Sequence, residues 1–391
     1  MSRIIKADLV FTNAGPPLEG GAVEVDDNGF VAAVYSAGEI NHKKGYESYH
    51  GFLVPGFVNA HCHLELSFAA ARIERGKGID NFIERLEELK RGIPADIKKQ
   101  SAANALELME EEGIVAVGDI CNTELTAELK PNSRIKFRNF IEVYGLDPAV
   151  AEEKIIRAKK LKAAFENSSI VPHSAYSLSQ SLFEMTGCNI AREDIISVHH
   201  QESKGENRYF AEGNGPLAAR FKSWGLKIPD FIPTKYKPAE LLVQILGIQH
   251  NKTLFVHNTF STEDDIDRIT EKYSQPSFCL CPSSNLFLEE SLPPAEMLAR
   301  KNVNICLGTD SLASTDTLSI LHEIKILQKA FPQLTTEFLI RAATLNGAIA
   351  LGFDDLLGSF EKGKKPGVVL IEDVDTEKRK INDFAFTRVI V

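Results

Sequence analysis

Eight short apolar segments alternate with helical segments between residues 52 and 350, and this alternation constrains the fold more than any other feature of the chain. Apolar residues at helical spacing between the segments predict the intervening helices. Eight β/α units in series close most simply into an α/β fold of the (β/α)8 TIM barrel type. A doubly wound open sheet is the alternative, but we find no Gly-rich dinucleotide or phosphate loop of the kind that marks such sheets. The predicted strands are 52–58, 114–117, 138–143, 169–172, 195–198, 253–256, 277–280 and 303–307.

Both ends of the chain have a different pattern, with β-branched and apolar runs separated by Gly, Pro, Asp and Asn. Such runs predict short strands. We therefore expect residues 1–54 and 355–391 to form one composite β-sandwich domain. Residues 55–354 then form the barrel.

Residues 204–245 interrupt the β/α rhythm between the fifth and sixth strands with a long segment that carries several aromatic side chains. Long βα loops of barrels lie over the active face. The insertion is therefore predicted either as a lid over that face or as a segment that packs only on its own barrel.

Composition narrows the class of function. The chain has 391 residues, with 44 Lys and Arg against 54 Asp and Glu, which gives a formal net charge of −10. An acidic chain is a poor candidate for binding nucleic acid or an anionic membrane surface. The six cysteines show no CxxC spacing, which favours reduced thiols and a cytoplasmic location. The first residues lack the apolar stretch of a secretory signal.

The strongest local motif is His61-Cys62-His63 at the end of the first predicted strand. Residues i and i+2 of a strand point to the same side, so the two imidazoles can face one metal ion. Zinc and iron are the metals that neutral imidazole suits. An isolated HxH motif is weak evidence, because two core or surface histidines would produce it equally well.

Further metal-competent residues lie at or just after the ends of other predicted strands. The carboxyl ends of barrel strands meet at one mouth, so we expect these side chains to converge there. The sequence thus predicts a metal site at the carboxyl-terminal mouth of the barrel. The residues are His173, His199, His200, His257 and Asp310.

On these residues the chain resembles the amidohydrolase superfamily, in its aminohydrolase (deaminase) branch. The motifs extend over nearly the whole chain. Within the branch, residues 255–258, 281–285 and 310–314 are most similar to the aminofutalosine deaminases. The motifs that carry the wider resemblance are residues 55–63, His199 with Glu202, His257, 308–311 and 343–348.

The resemblance implies a metal site built from His61, His63, His199 and Asp310. Its metal would be one divalent ion per chain, zinc or alternatively iron. His200 competes with His199, since neighbours in a strand point in opposite directions and only one can face the metal.

The resemblance also implies roles for the remaining residues. The branch places a proton-shuttling acid three residues after the metal-binding histidine, which makes Glu202 that acid and favours His199. His257 would orient and polarise the water, and Asp310 would help to move a proton to the departing ammonia. His173 matches a substrate-binding histidine, with a loop histidine satisfied by its neighbours as the alternative.

Dinuclear members of the superfamily need a bridging carboxylated lysine at the end of the fourth strand, and residues 169–172 contain no lysine. A mononuclear site follows from the resemblance. The implied reaction is hydrolytic deamination of an aminated purine-type ring with release of ammonia. The implied substrate is aminodeoxyfutalosine of menaquinone biosynthesis.

Other activities remain open on this evidence. Guanine, cytosine and adenosine or S-adenosylhomocysteine-type deamination are alternatives, as is hydrolysis of a cyclic amide. A non-catalytic scaffold is disfavoured because every expected ligand position is filled. The expected partner is a small-molecule substrate, and a homodimer is left open.

A substrate with a carboxylate requires a cation in the pocket, since an unpaired buried anion is costly. By sequence position, the candidates are Arg138 on the third predicted strand and Lys204 and Arg208 in the insertion. Glu142 is a candidate acceptor for ribose hydroxyls.

Overall fold

The computed structural model describes residues 2–234 and 236–391 as a mixed α/β structure. Its strands are β1 (Arg3–Lys6), β2 (Leu9–Val10), β3 (Leu18–Glu19), β4 (Ala22–Val25), β5 (Val31–Tyr35), β6 (Tyr46–Ser48), β7 (Phe52–Pro55), β8 (Phe57–Cys62), β9 (Ile114–Ile120), β10 (Lys136–Val143), β11 (Ser168–Pro172), β12 (Ile196–His200), β13 (Lys252–His257), β14 (Gln275–Leu280), β15 (Asn304–Leu307), β16 (Val368–Asp375) and β17 (Lys380–Val389).

The α-helices are α1 (Ala37–Ile40), α2 (Gly78–Gly92), α3 (Ala95–Glu111), α4 (Ala151–Ala164), α5 (Gln180–Gly187), α6 (Lys204–Glu212), α7 (Pro216–Ser223), α8 (Pro238–Leu246), α9 (Glu263–Lys272), α10 (Pro282–Glu289), α11 (Ala295–Arg300), α12 (Ile320–Ala330), α13 (Thr336–Ala343) and α14 (Leu345–Leu351). Short 3-10 helices lie at Leu64–Ala69, Lys130–Asn132 and Pro148–Val150.

Eight parallel strands occupy the middle of the chain and form two four-stranded sheets, β8 to β11 and β12 to β15. Most of their residues are buried. Burial on both faces is typical of parallel strands that helices cover, and it explains why these strands read as continuous apolar runs.

The edges of the two parallel sheets are hydrogen-bonded to each other. At one edge the amide of His199 donates to the carbonyl of His173 over 2.9 Å. At the other, the amides of Thr309 and Asp310 donate to the carbonyl of His61 over 3.1 and 3.0 Å. These bonds lie at the carboxyl ends of the strands, where they bring the histidine-bearing segments together.

The single strand predicted over 52–58 is wrong, because the chain changes sheets within it. β7 pairs with β2 and β16, whereas β8 pairs with β9. Gly56 separates them and allows a close approach: a Cβ there would lie 2.3 Å from Val115 Cγ1 and 2.7 Å from the carbonyl oxygen of Pro366. Only glycine fits such a crossing.

Strands from the two ends of the chain pair with each other. β16 runs antiparallel to both β7 and β17, in a five-stranded sheet with the order β17-β16-β7-β2-β3. A second sheet has the order β5-β4-β1-β6. A separate apolar cluster that includes Ile5, Val23, Leu53, Phe360 and Leu370 draws on strands from both sheets and both ends of the chain.

The insertion at 204–245 contains α6, α7 and all but the last residue of α8. Tyr209 and Phe210 are buried, while Phe221 and Trp224 line a cavity that also reaches the histidine cluster. Within the part of the chain that the structure describes, no helix has the length and apolar character needed to cross a membrane.

Candidate active site

His61 and His63 lie at the end of β8 and face each other, as the alternation of a strand predicts. Their Nε2 atoms are 3.2 Å apart. Burial and the neighbouring histidines hold the pKa of His61 well below its usual value, so its imidazole is neutral. Two ring nitrogens that converge in this way are suited to share one metal ion.

Asp310 brings a carboxylate to the two imidazoles. Its Oδ1 atom lies 3.5 Å from His63 Nε2 and 3.9 Å from His61 Nε2. Its other oxygen, Oδ2, accepts hydrogen bonds from the hydroxyls of Ser284 and Ser314, both over 2.7 Å. These two donors fix the carboxylate so that Oδ1 faces the histidines, as a second coordination shell does around a metal.

His199 and His200 point in opposite directions from β12. The His199 ring lies 4.9 Å from the His61 ring, measured between centroids. The Nδ1 atom of His200 instead meets the side chain of Asn258 at 3.1 Å, and its ring packs on Phe255. The structure therefore brings His199, and not His200, to the cluster.

Glu142 at the end of β10 orients His199. Its Oε1 atom lies 3.2 Å from His199 Nδ1, and the carbonyl oxygen of His173 lies 3.0 Å from the same nitrogen. Nδ1 thus donates to these oxygens, which leaves Nε2 free to face the cluster. The sequence predicts Glu142 as an acceptor for ribose hydroxyls, and Glu142 does line the cavity. Its contact with His199 could not be predicted, because spacing along one strand does not show which side chain of another strand it meets.

The protonation state of His199 also depends on Glu142. Burial lowers the pKa of His199, but the hydrogen bond to Glu142 and its charge outweigh burial and raise that pKa to about 9. A metal ion binds only neutral imidazole, so metal binding here must release this proton. Afterwards Glu142 still accepts the hydrogen bond from Nδ1.

His257 ends β13 with a left-handed backbone, at a φ of +74°. Its Nδ1 atom lies 3.1 Å from the Asn285 side-chain amide. Its Nε2 atom is buried without a hydrogen-bond partner and lies 3.5 Å from Glu202 Oε1. An unpartnered ring nitrogen beside an acid is placed to interact with a metal ion, a water molecule or a substrate.

Glu202 follows β12 and is buried. Burial raises the pKa of Glu202 to about 8, because the opposing effect of His199 is smaller and Asp310 adds to the rise. Its backbone amide donates to Glu206 over 3.1 Å. A carboxyl group that holds its proton near neutral pH is suited to pass protons to and from a substrate.

His173 lies just after β11, where its ring stacks on His199 with centroids 4.5 Å apart. Burial lowers the pKa of His173 to about 3, so the ring is neutral. Its Nδ1 atom meets the Ser177 hydroxyl at 3.2 Å. The ring also lines the cavity in front of the cluster, as a substrate contact would.

The donors fit a metal ion. Ligand atoms of His61, His63 and Asp310 lie within 4.8 Å of one another, and so do those of His61, His199 and His257. Imidazole nitrogens with one carboxylate suit zinc or iron. The buried and unpartnered Nε2 of His257 points to a group that is needed to complete this set.

A cavity of about 430 Å³ opens in front of the cluster. The helices α2 and α7 supply much of its apolar wall, which includes Phe82, Leu86, Phe221 and Trp224. A mostly apolar cavity with a few convergent polar groups is typical of a small-molecule site.

The structure places the three cations proposed from the sequence outside this cavity. Arg138 donates to the carbonyl of Leu351, Arg208 pairs with Glu212 at 3.1 Å, and Lys204 lies over the ring of Phe260. Arg138 is early in β10, remote from the carboxyl end of that strand.

Sequence reasoning missed several residues that support the cluster, namely Ser284, Ser314 and Asn285. These residues fall in the segments 281–285 and 310–314, which carry part of the family resemblance, but the motifs alone do not give their roles. A Ser or Asn close in sequence to a predicted ligand could indicate a supporting role. Such residues are also common at the ends of helices and in loops, so the sequence alone does not identify them as supporting residues.

The comparisons with known proteins agree with this geometry. The sequence profile of the amidohydrolase family matches residues 52–391. An aminodeoxyfutalosine deaminase from Nitratiruptor sp. is 28% identical over 337 residues, which is 82% of this chain and 78% of that protein.

Solved structures show the same fold. The crystal structure of Helicobacter pylori aminofutalosine deaminase with methylthio-coformycin superposes with a TM-score of 0.78 at 22% identity, covering 96% of this chain and 94% of that one. An adenosine deaminase from Xanthomonas campestris with bound zinc gives a TM-score of 0.72 at 23% identity, covering 94% and 84%. The resemblance seen in the sequence motifs is thereby confirmed.

Proposed function

We propose that this chain, which belongs to the amidohydrolase family, is a metal-dependent hydrolytic deaminase whose substrate is aminodeoxyfutalosine. Hydrolysis of carbon–nitrogen bonds other than peptide bonds is the chemistry of its deaminase relatives. The match to the Nitratiruptor aminodeoxyfutalosine deaminase supports this substrate.

We also propose how the strands and helices are arranged into domains. The two hydrogen-bonded parallel sheets are taken together as one (β/α)8 barrel of residues 55–354. Residues 1–54 and 355–391 form the composite β-sandwich domain, and 204–245 serve as a lid whose Phe221 and Trp224 face the cavity.

The proposed metal ligands are His61, His63, His199 and Asp310, with one zinc ion per chain and iron as the alternative. The zinc-bound adenosine deaminase supports zinc. When bound, such a metal lowers the pKa of a water ligand towards about 7. Around it, Glu142 orients His199, and the Ser284 and Ser314 hydroxyls orient Asp310.

The catalytic roles follow from the positions of Glu202, His257 and Asp310. Glu202 takes up a proton and delivers it to the ring nitrogen of the substrate, for which its raised pKa is suited. His257, 3.5 Å from Glu202, orients the attacking water. Asp310 moves a proton to the departing ammonia, and His173 contacts the substrate from the cavity wall.

One observation carries the proposal: a buried acid beside the metal-competent cluster. Ligand atoms of Glu202, His257 and Asp310 lie within 4.8 Å of one another, and burial raises the pKa of the Glu202 carboxyl group to about 8. Deamination needs such a group to protonate the ring nitrogen.

We further propose a cytoplasmic location. All six cysteines are unpaired thiols, and five of them are buried. Proteins in oxidising compartments use cysteines mainly as disulfides.

The test is a comparison of kcat/KM for aminodeoxyfutalosine, adenosine and guanine, followed by ammonia release. We expect kcat/KM for aminodeoxyfutalosine to exceed that for adenosine by more than about 10²-fold. A site that pairs a cation with the substrate carboxylate leaves that cation unpaired when a neutral nucleoside binds. A ratio near one, or a preference for guanine, would remove this substrate and leave the deaminase assignment standing. Cleavage of a cyclic amide without ammonia release would overturn deamination itself.

A further inference from the structure

Two lysines line the same cavity as the histidine cluster. Lys90 lies in the last turn of α2, and Lys154 lies in the first turn of α4. Both are partly buried. They come from separate helices of an acidic chain, so their meeting in one cavity calls for a chemical reason.

Apart from Glu87, the carboxylates of the cavity wall are engaged by groups other than the two lysines. Glu142 is held by His199, and the side chain of Asp147 accepts a hydrogen bond from the amide of Ala149 over 2.9 Å. Glu202 and Asp310 belong to the histidine cluster, where Glu202 lies 3.5 Å from His257 and Asp310 lies 3.5 Å from His63. None of these four acids forms an ion pair with Lys90 or Lys154.

The two lysines differ in their partners. Lys90 Nζ lies 2.8 Å from Glu87 Oε1. Across residues 2–234 and 236–391, no carboxylate oxygen lies within 4.0 Å of Lys154 Nζ, which instead sits 5.0 Å from the centroid of the Tyr144 ring. Lys154 is thus a positive charge at the cavity wall that lacks an anionic partner.

This environment disfavours an isolated charge. Burial lowers the pKa of Lys154, and the nearby Arg157 adds to the effect, although Glu153 and Glu87 oppose it. An anion that entered the cavity would offset the cost through a charge-assisted hydrogen bond. The apolar wall, with Phe82 and Trp224, provides a surface for an aromatic or aliphatic link between that anion and the purine.

We propose that Lys154, assisted by Lys90, binds the carboxylate of the substrate and selects anionic purine nucleosides over neutral ones. This inference rests on the proposed function and names the residues that determine its specificity. It replaces Arg138, Lys204 and Arg208, which lie elsewhere.

The experiment compares aminodeoxyfutalosine, which carries a carboxylate, with neutral methylthioadenosine. We expect Lys154→Gln to lower the ratio of their kcat/KM values by about 10- to 100-fold, the range for loss of a charge-assisted hydrogen bond. Lys154→Arg should restore most of the ratio. The control is Lys159→Gln, an exposed lysine of the same helix, which should leave the ratio unchanged.

An unchanged ratio in Lys154→Gln, or equal loss on both substrates, overturns the anion site. A wild-type enzyme that deaminates methylthioadenosine and ignores aminodeoxyfutalosine also overturns it, while the deaminase assignment survives. If the wild type releases ammonia from neither, the proposed function fails. Calorimetric binding of aminodeoxyfutalosine still tests the site in that case, and equal Kd values for wild type and Lys154→Gln would refute it.

Discussion

At the scale of single residues, burial and neighbouring groups give two carboxyl groups of the site different acid strengths. Burial raises the pKa of Glu202 to about 8, because it outweighs the opposing charge of His199 and because Asp310 adds to the rise. Asp310 is equally buried, yet histidines and two hydroxyls hold its pKa below the usual value. Two carboxyl groups a few ångströms apart therefore differ in protonation, which separates a proton carrier from an anionic ligand.

We predict that Glu202→Gln retains its fold and its zinc but loses at least about 10²-fold in kcat for ammonia release, as expected for loss of a general acid and base. Zinc content by atomic emission and ammonia release by a coupled assay measure the two effects. Glu212→Gln, on the exposed end of α6, is the matched control. Loss of zinc in Glu202→Gln would make Glu202 a ligand and contradict its assignment.

The alternation of a strand predicts that only one of His199 and His200 faces the metal site. Alternation alone does not show which of the two it is. The choice of His199 came from the position of Glu202, and the structure brings His199 to the cluster. The partner of His199, Glu142, could not be predicted from strand spacing, because it lies on a different strand, 57 residues earlier (199 − 142 = 57).

At the scale of elements, a buried ion pair supports the segment that follows His63. Asp119 of β9 accepts a hydrogen bond from the amide of Leu64 over 2.8 Å, and its other oxygen lies 2.6 Å from Lys130 Nζ. Lys130 also donates to Asn139 on β10 over 2.6 Å. The pair thus ties the first metal-binding segment to two neighbouring strands.

Lys130→Met should lower the free energy of unfolding by about 3–5 kcal/mol, because it leaves the Asp119 carboxylate buried without its partner. Urea denaturation followed by circular dichroism measures this change. The double variant Asp119→Asn, Lys130→Met should recover part of the loss, since no unpaired charge remains. A loss below about 1 kcal/mol in Lys130→Met would show that the carboxylate finds another partner.

This pair was beyond sequence reasoning. From the sequence, a lysine between Leu129 and Pro131 is expected to lie in a loop with its side chain exposed to solvent. Its burial follows from the tertiary position of its loop, where the ammonium also lies over the rings of Phe137 and Phe165. Patterns of hydrophobicity report which faces are apolar and contain no information on which charges are paired inside.

At the scale of the whole molecule, the serial order of strands was predictable because each parallel strand is a continuous apolar run. The change of sheet at Gly56, between β7 and β8, could not be predicted. Residues 52–58 form one apolar run, and both strands are buried. Pairing of β7 with β16 requires contacts between residues more than 300 positions apart. Local sequence carries no signal for such distant pairs beyond the strand propensity of each.

We propose that one metal ion, held by the cluster at the carboxyl ends of the parallel strands, is required for deamination. The most direct measurement is a titration of zinc into chelator-treated protein while ammonia release is recorded. We predict that the rate rises linearly and stops rising at one zinc per chain, and that His199→Ala abolishes the rise while His42→Ala, at an exposed position, does not. A plateau at two zinc ions per chain would rule out a mononuclear site, and full activity in the metal-free protein would rule out a requirement for metal.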